Sequence, residues 1–237
     1  MKDKKAVAVI HARGGSVRIP LKNIRLLCGK PLIVWTIEAA LHSNCGRVIV
    51  STDHDEIAQI AQRAGADVPF RRPAALSEDV ASELVTQHAI SFHEDELGER
   101  VGIAVTIQPT TPFITAEDID RCLKMLIADD ALDSCFTAGP VHERPEWMFY
   151  RDEWGRARSY VDKLIQGDRG ISQLLPPLWH PNGGAYATRR DVLFEGNCII
   201  GMKPGIHRMS FDRSVDIDEE IDFSVAEVVG KRLFRAN

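Results

Sequence analysis

Ala6-Val7-Ala8-Val9-Ile10 runs directly into His11-Ala12-Arg13-Gly14-Gly15-Ser16-Val17-Arg18-Ile19-Pro20-Leu21-Lys22-Asn23. This junction decides the fold. Five apolar residues with no polar alternation read as a strand buried on both faces, the mark of a parallel sheet covered by helices. A cation-rich loop with paired glycines follows at the carboxyl end of that strand. A helix then begins: Pro31–Leu41 places Pro31 in the first turn and Ile33, Ile37, Ala40 and Leu41 on one face.

The same alternation continues outward. Val48–Ser51 reads as a second strand. Asp53 is expected to cap the next helix, with Glu56 three residues on and Ile57, Ile60, Ala61 and Ala64 inward, ended by Gly65. Ser82–Glu94 reads as a helix and Val101–Ile107 as a strand. Thr115 caps a further helix with Asp118 at its third position and Ile119, Cys122, Leu123 and Leu126 inward. Ser134–Ala138 is another strand, and a late strand lies near Met209. The final helix starts after Asp218 and carries the apolar residues Ile221, Val225, Val228 and Val229. This order implies an α/β fold with a mostly parallel sheet and helices on both faces. Ligands in such sheets collect beyond the carboxyl ends of the strands. The loops after Ile10, Ser51, Ile107 and Met209 are therefore the ones to watch. Val141–Leu178, rich in Trp, Pro, Arg and Gly, breaks the rhythm and reads as an excursion from the sheet.

Bulk properties narrow the function. The chain has 237 residues, 44% of them apolar and 27% charged, with a formal charge of −5. That is ample chain for a core without staples. An acidic balance argues against a general nucleic-acid binder. No apolar run approaches the roughly 20 residues that span a bilayer, and Ala6–Ile10 is too short for a signal-peptide core. Five cysteines, at 28, 45, 122, 135 and 198, show no Cys-x-x-Cys spacing. They read as reduced thiols of a cytoplasmic protein.

Charge is unevenly placed. From Lys4 to Ile37 there is no Asp or Glu, while Lys4, Lys5, Arg13, Arg18, Lys22, Arg25 and Lys30 fall in that window. Paired glycines let backbone N–H groups turn toward an anion, and Arg13, Arg18 and Lys22 supply neutralising charge. The reading is a polyphosphate cradle; a solvated turn is the alternative. It is neither a Walker loop nor a dinucleotide fingerprint, since neither glycine spacing occurs. Far along the chain, Ser214-Val215-Asp216-Ile217-Asp218-Glu219-Glu220-Ile221-Asp222 carries the opposite sign. In an extended segment Asp216 and Asp218 point the same way. Two hard oxygen ligands on one side suit Mg2+ (or Mn2+), which also takes water and phosphate oxygens. The alternative is that these acids complement the dipole of the helix that follows. Beside a polyphosphate loop, the metal is the better reading.

Seven segments in order then resemble the cytidylyltransferases that activate sialic acids and related nine-carbon keto sugar acids. They are ARGGSVRIPLKNI at 12–24, GKPLIVWTIEAAL at 29–41, VIVSTDHDEIAQIA at 48–61, FRRPAALSEDVAS at 70–82, QPTTP at 108–112, HPNGGAY at 180–186 and SVDIDEEIDF at 214–223. The resemblance implies one Rossmann-like nucleotide-diphospho-sugar transferase domain over 1–237, with a dimerisation and sugar-pocket excursion at 141–195 and a homodimer. It implies transfer of CMP from CTP to the anomeric hydroxyl of the sugar acid, with release of pyrophosphate. Ala12, Arg13, Gly14, Ser16, Arg18, Lys22 and Asn23 match the loop that holds the nucleotide phosphates. Arg72 and Ser82 match positions near the nucleotide. Gln108, Asn182, Tyr186 and His180 fall in segments that face the sugar, and Asp216 and Asp218 match the metal pair. Arg13, Lys22 and Asp218 would carry the catalysis. No residue stands out as a general base. A nucleotide-sugar glycosyltransferase of similar fold is the competing enzyme. It would want an Asp-x-Asp soon after a mid-chain strand, whereas Asp118-Ile119-Asp120 falls inside a helix. A sensor without catalysis is the non-enzymatic alternative, and Lys22, Asp216 and Asp218 argue against it.

Departures from the pattern concern the sugar. His11 replaces a small apolar residue or proline, and Val17 replaces a lysine whose charge Arg18 supplies next door. Ser172 and His180 stand where two arginines are common, leaving Arg169, Arg144 or His180 to meet the substrate carboxylate. Asn197-Cys198-Ile199-Ile200 is aliphatic where the segment reaching a neighbouring subunit is often aromatic. Sialic, legionaminic, pseudaminic, deaminated and octulosonic acids all stay open.

Overall fold

The computed structural model describes residues 3–16, 18–161 and 171–235. Val17 and Arg169 lie outside them. Ten strands and six helices are present among the described residues. Six strands form the main sheet: β1 (Asp3–His11), β4 (Cys45–Ser51), β5 (Ile103–Ile107), β6 (Ser134–Pro140), β9 (Trp179–Arg189) and β10 (Pro204–Arg208), in the order β10-β6-β9-β5-β1-β4. Two short ribbons lie outside it, β2 (Leu26–Leu27) with β3 (Lys30–Pro31), and β7 (Phe149–Arg151) with β8 (Ala157–Ser159). β1 pairs in parallel with β4 and β5, and β10 in parallel with β6. β9 alone runs antiparallel, between β5 and β6.

The opening pentapeptide sits in the middle of this arrangement, wholly buried. Ala6, Ala8 and Ile10 face α1 (Leu32–His42), α2 (Asp55–Arg63) and α4 (Ala116–Ala128) through Ile33, Ile37, Ile57, Ile119 and Leu123. Val7 and Val9 face α3 (Ser82–Leu97) and α5 (Arg190–Phe194) through Ala89, Ile90 and Leu193. Strand periodicity of two sends alternate side chains to two separate helix layers. Burying each Val or Ile in this way stabilises the fold by about 1.5–3 kcal/mol. The expected α/β fold is present.

Two expectations need correction and one reading is sharpened. Asp53 does not cap α2: the helix begins at Asp55, His54 occupies the cap position, and the Asp53 carboxylate instead accepts the Gly14 N–H at 2.7 Å. The excursion ends at Leu178, not 195. Trp179–Arg189 is a central strand and Arg190–Phe194 a helix packed on the sheet. The reading missed that strand because Asn182-Gly183-Gly184 carries turn residues within it. Finally, of the four apolar residues read on α6 (Glu220–Arg235), Val229 alone packs inward. Ile221, Val225 and Val228 are 65%, 46% and 63% exposed, whereas Phe223 and Ala226 are buried and Val229 and Leu233 pack against Leu27, Leu32 and Phe113. Two apolar stripes compete on this helix. The one containing Gly230 wins because it permits close approach: a Cβ there would lie 2.6 Å from the Cys28 sulfur.

Candidate active site

A cleft of about 500 Å³ opens at the carboxyl ends of β1, β4 and β5. Its walls include Arg13, Ser16, Arg18, Lys22, Asn23, Arg72, Ser82, Gln108, Asp216 and Asp218. The basic loop near residue 20 and the acidic pair near residue 217 therefore meet, although about 200 positions separate them in sequence. Lys22 makes the junction. Its Nζ donates to the Ile217 carbonyl at 2.6 Å and lies 3.3 Å from Asp218 Oδ1. Arg18 approaches the other Asp218 oxygen at 3.5 Å. Next door, Arg25 holds Glu220 at 2.5 Å.

The loop itself is fixed from behind. Gly14 lies against His54, where a Cβ would come within 2.8 Å of the ring, and its N–H is taken by Asp53. Asn23 is buried, and its Nδ2 donates to the Arg13 carbonyl at 3.0 Å. Ala12 is fully buried. Ala12 and Gly14 thus stand behind the cleft wall and not on it. Asn23 touches the cleft, but its amide N–H braces the loop that presents Arg13. Gly15 alone of the pair faces open space. Arg13 reaches across the mouth to Asp79 at 2.6 Å, an exposed pair of small net worth.

Arg72 is buried, donating through Nε to Ser51 Oγ at 3.0 Å and through Nη2 to the Ser51 carbonyl at 2.5 Å. Burial draws its pKa down to about 10, against an opposing pull from Asp53 and with Arg13 adding to the depression. It remains a cation near neutrality. Ser82 is the first residue of α3, while Ala81 holds the cap position.

Asp216 has a carboxyl whose pKa is raised. Crowding by protein atoms is the first cause; a Thr110 hydrogen bond opposes it, the charges of Asp218 and Asp222 add to it, and Lys22 opposes it. The residue is nonetheless exposed along the cleft. The three carboxylates of Asp216, Asp218 and Asp222 outnumber the two cations beside them, Lys22 and Arg18, and a divalent cation supplies the missing positive charge. Among the described residues, no group of three His, Cys, Asp or Glu is poised to enclose a metal. Two carboxylates with open positions fit Mg2+, which keeps waters and substrate oxygens.

The sugar-side candidates divide. Gln108 lines the cleft, and its N–H donates to the Gly183 carbonyl at 3.1 Å. Its Oε1 would lie 2.7 Å from a Cβ at position 183, where φ is +80°, so this position requires glycine. Asn182 does not reach the cleft. Its Oδ1 accepts from Thr137 at 2.7 Å, and its Nδ2 donates to Ser214 at 3.0 Å. Its carbonyl accepts from the Thr111 hydroxyl. It joins β9 to the segment leading into Asp216. Tyr186 is buried against Phe136. Burial raises its phenol pKa, opposed by a Gly183 backbone hydrogen bond and helped by the charge of Asp216. His180 stands outside the cleft, its Nδ1 3.0 Å from the Pro181 carbonyl. Arg144 is buried beneath the excursion, bonded to the Pro176 carbonyl at 2.8 Å.

Residues the reading missed include Asp53 and Thr110 as braces, and Leu76, Val80 and Val85 as apolar lining. The signal for Asp53 was its place two residues past β4, in a loop already expected to matter. An apolar floor carries no comparable sequence mark.

A cation loop facing paired carboxylates at the carboxyl edge of a doubly covered sheet defines a nucleotidyltransferase. The cytidylyltransferase family model matches residues 7–149, and the chain belongs to that family. It is 33% identical to a CMP-N,N'-diacetyllegionaminic acid synthase of Legionella pneumophila, over 93% of this chain and 94% of that one. It is 35% identical to N-acylneuraminate cytidylyltransferase A of Danio rerio over 95% of its own length, spanning about half (51%) of that relative. Among solved structures, a CMP:2-keto-3-deoxy-manno-octonic acid synthetase complexed with CTP superposes with a TM-score of 0.71 at 20% identity, covering 98% of this chain and 100% of the other. That likeness shows the fold.

Proposed function

We propose that this protein transfers CMP from CTP to the anomeric hydroxyl of a sialic-acid-like nine-carbon 2-keto sugar acid, giving the CMP-sugar and pyrophosphate. The observation that carries the reading is the meeting of Lys22 with Asp218 at the mouth of a cleft otherwise lined by Arg13, Arg18 and Arg72. The full-length likeness to a legionaminic acid synthase supports the substrate class. Legionaminic, pseudaminic and deaminated acids are the alternatives within it, and an eight-carbon octulosonic acid is the alternative beside it.

In this reading Arg13, Arg18 and Lys22 neutralise the triphosphate as negative charge builds on the α-phosphoryl group and the departing pyrophosphate. Ser16 contributes a hydroxyl to the same surface. Asp53 and Asn23 hold the loop in shape, so the cations need little rearrangement on binding. Asp216 and Asp218 hold Mg2+, which when bound polarises phosphate oxygens and favours ionisation of the attacking hydroxyl. Arg72 and Ser82 flank the nucleoside, and Gln108 faces the sugar. Asn182 and Tyr186 shape that end from behind. Homodimer formation completes the picture. Met148, Phe149, Tyr150, Trp154 and Tyr160 are exposed on and beside the β7–β8 ribbon, an apolar patch that a second copy would cover. This reading places the enzyme in the cytoplasm, where CTP is available.

A pyrophosphate-release screen tests this reading, crossing four nucleoside triphosphates with a panel of 2-keto sugar acids and Mg2+. Release with CTP and a nonulosonic acid, abolished by EDTA, is the expected result. CTP binding without release from any such acid would sink the substrate assignment.

A further inference from the structure

His11 ends β1 and lines the cleft together with Arg72, Ser82 and Val85. Its Nε2 lies 3.0 Å from Thr86 Oγ1. That hydroxyl is 2.8 Å from Thr106 Oγ1 and 3.2 Å from the Ser82 carbonyl. One arrangement of hydrogens that gives every group in this chain a partner runs from Thr106 through Thr86. Thr106 is 1% exposed, and Thr86 is its hydroxyl's partner among the described residues; Thr106 therefore donates to Thr86. Thr86 in turn donates to the carbonyl one helical turn back, a common arrangement for threonine in a helix. In that arrangement the Thr86 oxygen is an acceptor toward the imidazole, and Nε2 carries the hydrogen.

The ring is neutral. Burial first, and the Arg72 guanidinium second, push its pKa down to about 3. A neutral imidazole protonated at Nε2 has a bare acceptor at Nδ1. Among the described residues Nδ1 has no partner inside the protein, and it is not among the enclosed, unbonded polar atoms. It opens to the cleft. On the same wall Arg72 uses Nε and Nη2 on Ser51 and keeps Nη1 as a donor. The wall thus offers one acceptor and one donor above the apolar side chains of Leu76, Val80 and Val85.

Cytosine presents an exocyclic amine as donor beside two acceptors, N3 and O2. Uracil presents O4 as acceptor and N3–H as donor, the reverse pattern. We propose that His11, through Nδ1, accepts a hydrogen bond from the 4-amino group of the nucleobase and makes the site select cytosine over uracil. The inference rests on the cytidylyltransferase reading and adds to it the residue that reads the base. Uracil would set O4 against a lone pair and N3–H against a guanidinium, leaving polar groups unpaired on both sides.

The test is titration calorimetry on the whole protein with Mg2+ and no sugar acid. The ligands are CTP, UTP and the CTP analogue carrying hydrogen in place of the 4-amino group. The wild type is expected to bind CTP about threefold to tenfold more tightly than the analogue, the range for one neutral hydrogen bond. His11→Phe is expected to bind both alike, at the analogue's affinity. A His11→Phe protein that keeps the wild-type CTP-to-analogue ratio, or that loses affinity for both ligands equally, overturns the assignment. Should His11→Phe not fold, Thr86→Val serves instead. It releases the tautomer and is expected to shrink the ratio, and an unchanged ratio overturns the proposal. Failure of the underlying reading looks different, since the wild type would then bind no pyrimidine triphosphate at all.

Discussion

Lys22 shows how a single side chain can be placed before substrate arrives. The Ile217 carbonyl and the Asp218 carboxylate hold its ammonium, so the charge already points into the cleft. Lys22→Ala is expected to lower kcat/KM by roughly 10²–10³ with little change in thermal midpoint. A stopped assay of CMP-sugar formation beside a melting curve checks both. Asp218→Ala is expected to abolish turnover and Mg2+ dependence together, while a protein that only bound nucleotide would be little altered. His11 supplies a pH signature. Its folded pKa, about 3, lies below the unfolded value near 6.5, so the unfolded state takes up the proton first. The stabilising contribution is full above pH 6.5 and is lost as pH falls toward 3, amounting to about 3 kcal/mol at most by pH 4. Urea midpoints measured from pH 7 to 4 should fall less steeply in His11→Phe than in the wild type. Equal slopes would contradict a buried neutral ring. Arg13, Arg18, Lys22, Asp216 and Asp218 could all be picked from sequence because charge was out of place there. Asn182 could not be read in the same way, because a side-chain amide can bind a ligand or brace a loop, and sequence does not say which.

At the scale of the element, α4 does more than cover the sheet. Thr115 and Asp118 close a capping box at its start. Asp118 also takes a bidentate grip from Arg213 at 2.7 and 2.9 Å, and His207 at 2.9 Å. Burial alone would raise the Asp118 carboxyl, but the bonds from His207, Arg213 and Thr115 outweigh it and hold the pKa well below the ordinary range. Arg213 lies three residues before Asp216, so this helix start anchors the segment that carries the acidic pair. Asp118→Asn is expected to destabilise the protein by about 3 kcal/mol or more, the cost of leaving one member of a buried pair alone. Chemical denaturation measures it; a loss below 1 kcal/mol would mean the cluster is solvated in solution. The capping box was legible in sequence because its residue types and spacing are local. The Arg213 contact was not, since it joins positions nearly a hundred residues apart. The buried face of α6 could not be read for a related reason: two apolar stripes share that helix, and choosing between them depends on what lies opposite.

The whole molecule is organised by the order β10-β6-β9-β5-β1-β4. The cleft is made from the segments after β1, β5 and β10 together with the stretch between α2 and α3. Parallel alternation could be read because the apolar runs of β1, β4 and β5 are separated by helical patterns. β9 escaped because glycines and an asparagine interrupt it and because it runs against its neighbours. At this scale the exposed aromatics of the β7–β8 ribbon are expected to bury themselves in a symmetric dimer. Light scattering should give twice the 26.4 kDa chain mass, and Phe149→Glu with Trp154→Glu should return it to the monomer. A monomeric wild type would remove the subunit partner from the account. The central claim is that two distant, oppositely charged segments enclose one metal nucleotide. A crystal grown with CTP and Mn2+ tests it most directly through the anomalous signal of the metal. The account expects a manganese peak between Asp216, Asp218 and the triphosphate, with Arg13 and Lys22 on the phosphate oxygens. A nucleotide bound with its phosphates away from the 12–23 loop, or a metal bound elsewhere, would contradict it.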